Sequence, residues 1–227
     1  MSKGIFVTAT GTDVGKTYVT ALMVKKLKED GYKAGYYKAA LSDARRTDKG
    51  LIPGDAEYVS KITGLSDEPR KMVTYIYEHA VSPHLAARIE GNPVEKEAVL
   101  RDYLTARETC DYITVEGSGG IVCPIRYDEE EHIFLEDIVK LLELDCIIVA
   151  DAGLGTINSV VLTVTYMRQK GMTIKGILFN HFHPGDVMEE DNWKMIEEIT
   201  GIPVVGWVGD HDEELHMTGV ALEELYS

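Results

Sequence analysis

The stretch Gly4–Thr17, GIFVTATGTDVGKT, decides the fold. Gly4 to Ala9 is a short apolar run that reads as a buried strand, and Lys16 opens a segment of helical period that continues to about Asp30. Between them Thr8–Thr17, TATGTDVGKT, is a glycine-bearing loop in the strand-then-helix setting that lets successive backbone N–H groups curl around phosphate oxygens. Gly11 and Gly15 permit the curl, with Thr12, Asp13 and Val14 between them. Lys16 brings a positive charge to the β- and γ-phosphates, and Thr17 a hydroxyl for Mg²⁺. The loop therefore reads as a nucleotide-triphosphate site for ATP with Mg²⁺.

Outward from that loop, short apolar runs alternate with longer helical ones. Strands are expected at Gly4 to Ala9, Lys33 to Lys38, Tyr112 to Glu116, Cys146 to Ala150, Lys175 to Asn180 and Pro203 to Val208. Helices are expected at Lys16 to Asp30, Ala56 to Thr63, Pro83 to Glu90, Val94 to Glu108, Leu135 to Leu144, Ile157 to Gln169 and Val187 to Thr200. This pattern predicts an α/β fold, a parallel sheet with helices on both faces. At 227 residues, with no repeat or low-complexity divider, residues 1–227 are expected to form a single domain. The polar stretch from Ala39 to Gly54 is the one long connection expected.

Composition narrows the partners. Hydrophobic residues make up 44% and charged residues 27%, ordinary for a soluble fold. The 23 basic and 38 acidic residues leave a charge of −15, much of it in runs such as Asp128 to Glu131 and Glu189 to Asp191 that read as solvated. That balance argues against nucleic acid or an anionic membrane as partner, and for phosphate held locally. Cys110, Cys123 and Cys146 are too widely spaced for a CxxC pair and fit reduced thiols. No apolar run approaches the ~18 residues of a membrane span, and residues 1–4 lead straight into a strand without a leader, so a cytoplasmic location is expected.

Mg²⁺ prefers oxygen ligands, and two carboxylates are candidates. Glu116 ends the apolar run YITVE and precedes GSGG, a flexible turn at the carboxyl edge of the sheet. Asp55, in PGDAEYV, reads equally as a metal ligand and as the cap of the next helix. Lys38 ends the second strand at the same edge as the phosphate loop. His84 opens a helix and reads as structural, and the spacing of His181 and His183 gives no metal pair on one helical face.

Taken together, TATGTDVGKT, YYKAALSD, Gly54–Ala56 (GDA), Ser82–Gly91 (SPHLAARIEG), Val115–Gly120 (VEGSGG), Gly153–Ser159 (GLGTINS) and Phe179–Asn180 resemble the dethiobiotin synthetases, P-loop NTPase-like ligases, over nearly the whole chain. The resemblance implies ATP- and Mg²⁺-dependent joining of CO₂ to 7,8-diaminopelargonic acid, through a carbamate and its mixed phosphoric anhydride, to give dethiobiotin, ADP and phosphate. It implies catalytic roles for Lys38, Lys16 and Thr12, and a metal shell of Thr17, Asp55 and Glu116. Thr12, Lys38 and Ser42 would contact the diamine or carbamate, Asp13 would hold an ammonium or a metal, and Asn180 would read adenine. It further implies a homodimer in which Gly155, Thr156 and Asn158 of one subunit hold the substrate's tail carboxylate.

Several positions depart from that family's pattern. Thr10 stands at the usual first glycine of the loop, and Ala9, Ala39 and Asp43 replace a glycine, a proline and a glycine that are common there. The variant loop is also similar to that of partitioning ATPases, nucleotide switches that are the alternative reading together with a P-loop amide ligase of shifted substrate. Many partitioning ATPases carry a signature lysine where Gly11 stands here.

Overall fold

The computed structural model describes residues 2–48 and 50–227; Met1, the first residue of the leader reading, and Lys49, within the expected Ala39–Gly54 connection, lie outside the described residues. Chain order is β1 (Lys3–Ala9), α1 (Lys16–Glu29), β2 (Ala34–Leu41), β3 (Arg45–Thr47), β4 (Gly50–Ile52), α2 (Gly54–Thr63), β5 (Val73–Ile76), α3 (Pro83–Glu90), α4 (Lys96–Arg107) and β6 (Tyr112–Glu116). It continues with β7 (Pro124–Tyr127), β8 (His132–Phe134), α5 (Leu135–Leu141), β9 (Cys146–Asp151), α6 (Thr156–Gln169), β10 (Ile174–Asn180), α7 (Val187–Thr200), β11 (Val204–Trp207) and β12 (His216–Met217).

Eight strands form one sheet in the order β12-β11-β10-β9-β1-β6-β2-β5. All neighbours are parallel except the β11–β12 pair at one edge. The parallel strands read as continuous apolar runs because both faces are covered. Along β1, Ile5 and Val7 pack beneath α1 and α2, while Phe6 joins the opposite core with residues of α3 to α7. Burying each such side chain is worth about 1.5–3 kcal/mol. Because β1 pairs with β6 on one side and β9 on the other, the loop leaving its carboxyl end opens at the reversal of strand order.

Four expectations need correction. The Ala39–Gly54 stretch is not a plain loop: β2 runs on to Leu41, and the β3–β4 hairpin follows. The sheet also gains β5 and β12 as its edge strands, both too short to stand out as apolar runs. The acidic run at 128–131 is not simply solvated, since Asp128 and Glu130 pair with the buried guanidinium of Arg126 and Glu131 pairs with Lys96. Glu189 is likewise buried, accepting from the His183 backbone at 2.6 Å. Asp43 adopts φ 65°, a left-handed conformation that favours glycine, and an aspartate is one of the few side chains that tolerates it.

Candidate active site

The phosphate loop ends at Gly15, whose φ of 80° starts α1 from a left-handed residue. A Cβ there would come within 2.0 Å of Asn180 Nδ2, so glycine is required by space as well as by backbone. The 117–120 turn also comes close, though less tightly: a Cβ on Gly120 would lie 3.3 Å from the Ala9 carbonyl oxygen and 3.5 Å from Gly11 Cα. The GSGG segment after β6 thus lies against the phosphate loop after β1, with Gly120 at a spacing where a side chain would be tight.

β2 and β6 run parallel with Lys38 opposite Glu116, and α2 carries Asp55 to the same point. Glu116 is 1% exposed, and its Oε1 accepts from Lys16 Nζ at 3.3 Å, Thr17 Oγ1 at 2.8 Å and Lys38 Nζ at 2.9 Å. Lys38 Nζ also donates to Asp55 Oδ2 at 2.5 Å. Asp55 does not cap its helix, for the cap position is Pro53. Its side chain remains 34% exposed and faces a cavity of about 250 Å³.

Charge follows from these contacts. Burial alone would raise the Glu116 carboxyl, but the Lys38 and Lys16 ammonium groups and the donated hydrogen bonds hold it down at about 2. Burial would lower Lys38, yet two carboxylates outweigh that and lift it above its ordinary value. For Lys16, burial together with the neighbouring Lys38 charge outweighs Glu116, and its pKa is lowered. Two cations and two anions therefore balance until anionic oxygens arrive.

Of the residues expected at the site, Thr12, Asp13, Gly15, Lys16, Thr17, Lys38, Ser42 and Asp55 line this one cavity, and Glu116 lies beneath it. A second cavity adjoins through Asp13, Gly15 and Tyr18 and is lined further by Tyr58, Asn180, His181, Asp210 and His211. Asn180 is 1% exposed; its Nδ2 donates to the Val14 carbonyl at 3.1 Å, and its Oδ1 has no hydrogen-bond partner among the described residues. Gly11 and Val14 belong to the loop wall without lining either cavity, and Gly155, Thr156 and Asn158 sit apart from both, at the start of α6. Sequence reasoning passed over Tyr18, Tyr36, Tyr58, Ser118, Asp210 and His211. Tyr36 had a signal, lying two residues before Lys38 on the same strand face. The 210–211 turn had none, because only the fold brings it to α1, where Tyr18 Oη donates to the Asp212 carbonyl.

The donor set suits Mg²⁺. Thr17, Asp55 and Glu116 offer hard oxygens for part of an octahedral shell and leave places for phosphate oxygens and water. Thr17 Oγ1 and Lys38 both bond Glu116 Oε1, so the candidate ligands are already within one hydrogen-bonded cluster.

A phosphate loop at the sheet's switch point, two lysines and an oxygen-donor shell define a P-loop enzyme that uses a nucleotide triphosphate. Comparison with known proteins agrees: residues 3–214 match the family described as AAA domain. The ATP-dependent dethiobiotin synthetase BioD of Brachyspira hyodysenteriae is 51% identical over 210 residues, covering 92% of this chain and 93% of that protein. The enzyme of the same name from Clostridium botulinum strain Langeland is 50% identical over 204 residues, covering 90% and 89%. Among solved structures, the Aquifex aeolicus MinC:MinD cell division complex aligns with a TM-score of 0.58 at 14% identity, covering 93% of this chain and 83% of that one. A ParA family ATPase from Chlorobium tepidum aligns at 0.53 and 16%, covering 93% and 85%, and at such identities only the fold is shared. The chain belongs to the ATP-dependent dethiobiotin synthetase family.

Proposed function

We propose that the whole chain, as a single ligase domain, closes the cyclic urea of dethiobiotin from 7,8-diaminopelargonic acid, CO₂ and ATP in biotin biosynthesis. In that reaction one amine adds to CO₂ and loses a proton, giving a carbamate. A carbamate oxygen then attacks the γ-phosphorus and ADP departs. The second amine attacks the carbamoyl carbon, and phosphate leaves as the ring closes.

The observation that carries this reading is Lys38, buried between Asp55 and Glu116 beside a cavity that also holds Lys16, Thr12, Ser42 and Ser118. Phosphoryl transfer needs positioning and cationic stabilisation more than a protein nucleophile. Lys16 supports the β- and γ-phosphates, Lys38 neutralises carbamate and γ-phosphate together, and Thr12 and Ser42 orient the diamine or carbamate. Asp13 is available to an ammonium, and Asn180 to the base. Mg²⁺, held by Thr17, Asp55 and Glu116, would offset phosphate charge. The partnerless Asn180 Oδ1 favours a base with an exocyclic amine, adenine included.

The same reading makes the protein a cytoplasmic homodimer acting on small molecules. Gly155, Thr156 and Asn158 then hold the substrate's tail carboxylate in the partner's site. The amides at the start of α6 suit a carboxylate, Thr156 Oγ1 has no hydrogen-bond partner among the described residues, and Leu154 beside them is 92% exposed.

The test is coupling. ADP release should require both the diamine and CO₂; substantial turnover with neither would overturn the reading.

A further inference from the structure

Glu116 has two oxygens, and the chain treats them differently. Oε1 receives Lys16, Thr17 and Lys38, whereas Oε2 receives the Tyr36 hydroxyl at 2.9 Å. Tyr36 stands two residues before Lys38 on β2, so both project from one face, and it is in register with Thr114 while Lys38 faces Glu116. Its ring reaches one step along the neighbouring strand to the carboxylate. Tyr36 is 3% exposed.

The three donors on Oε1 all have other work once nucleotide and metal bind: Lys16 and Lys38 with phosphate and carbamate, Thr17 with the metal. Tyr36 has none.

We propose that Tyr36 is the positioning residue of the metal shell, fixing Glu116 through Oε2 so that Oε1 stays aimed at the cavity when its other partners turn away. This inference rests on the metal-shell reading of Glu116 above. Partners of this kind hold a ligating carboxylate in place, and their loss costs roughly 10- to 100-fold in metal affinity or activity.

The experiment is the Mg²⁺ dependence of binding of a non-hydrolysable ATP analogue, which requires neither diamine nor turnover. Tyr36→Phe keeps the ring and removes only the hydroxyl. It should raise the half-saturating Mg²⁺ concentration by roughly tenfold or more. Tyr37→Phe is the control: it too is a buried tyrosine of β2, but its hydroxyl bonds the Val99 carbonyl and Thr74 on the other face, and its Mg²⁺ midpoint should stay in place. In a Glu116→Gln background, Tyr36→Phe should add less than about twofold, as expected for two groups acting through one contact. A Tyr36→Phe midpoint equal to that of the unaltered chain overturns the inference alone, as does an equal shift in the Glu116→Gln background. A lower thermal midpoint with no Mg²⁺ shift does the same, reducing the hydroxyl to a structural role. If the unaltered chain shows no Mg²⁺-dependent nucleotide binding, the metal-shell reading falls and the inference falls with it.

Discussion

Lys16 and Lys38 flank the same carboxylate and are pushed in opposite directions. Lys38 touches two anions, Asp55 and Glu116, whereas Lys16 shares only Glu116 and feels the charge of Lys38 as well. Lys38 is thus held as a cation by both carboxylates, whereas Lys16 is the less compensated of the two and has more to gain from an arriving phosphate. Replacing Lys38 should therefore remove turnover while leaving nucleotide binding mostly intact. For Lys38→Ala we expect kcat to fall by about 100-fold or more, the scale of losing one preorganised charge stabiliser. Steady-state kinetics beside a nucleotide titration reads this directly, and near-normal turnover would sink the role given to Lys38. The sequence made this lysine visible as the expected end of the second strand, although β2 runs on to Leu41 and Lys38 lies within it, and it made Glu116 visible through the run YITVE before GSGG. It left Asp55 undecided, because GDA at a helix start fits a cap and a ligand equally; in the fold Pro53 takes the cap position, and Asp55 contacts Lys38 at the cavity.

Two hairpins outside the sheet brace elements that the sequence reading treated as connection or solvent. Arg45 and Arg46 on β3 pair with Glu57 on α2 and with Glu78 after β5. On the β7–β8 hairpin, Arg126 bonds Asp128 at 2.6 Å, Glu130 at 2.9 Å and Glu95, just ahead of α4, at 3.0 Å. Its hydrogen bond, with backbone amides adding to it, holds Asp128 down at about 2. A carboxyl lowered in the folded state adds stability above its unfolded value of about 3.9, and that stability is lost as pH falls toward its folded value. Arg126→Met should lower the melting temperature at pH 7, and the gap from the unaltered protein should narrow by about pH 2–3. Melts at the two pH values check this, and an equal gap at both would show that the ion pairs contribute nothing. Such hairpins were not legible because three- or four-residue strands lack a period, and charges that read as solvated find their partners only across distant sequence. The central strands and several helices were legible for the opposite reason: β1, β6, β9 and β10 are apolar runs buried on both faces, and α6 and α7 bury residues mostly three or four apart.

Across the whole molecule, a chain of charge −15 gathers Lys16 and Lys38 at one point of the sheet edge. Among the described residues no helix is long and apolar enough to cross a membrane. Gly155, Thr156 and Asn158 at the start of α6 do not line that cavity, and the proposed tail site needs a second copy to bring them to it. Two defective variants should then rescue each other. Lys38→Ala and Asn158→Glu, each inactive alone, should recover about a quarter of normal activity when mixed under conditions of subunit exchange, since a two-fold dimer carrying both has one intact site. No recovery in verified mixed dimers would refute sharing of the site. Incorporation of labelled bicarbonate reads the proposed reaction itself. With ATP, Mg²⁺ and 7,8-diaminopelargonic acid, label should enter a cyclic urea in step with ADP formed; folded protein that makes ADP without labelled urea, or makes neither, would contradict it.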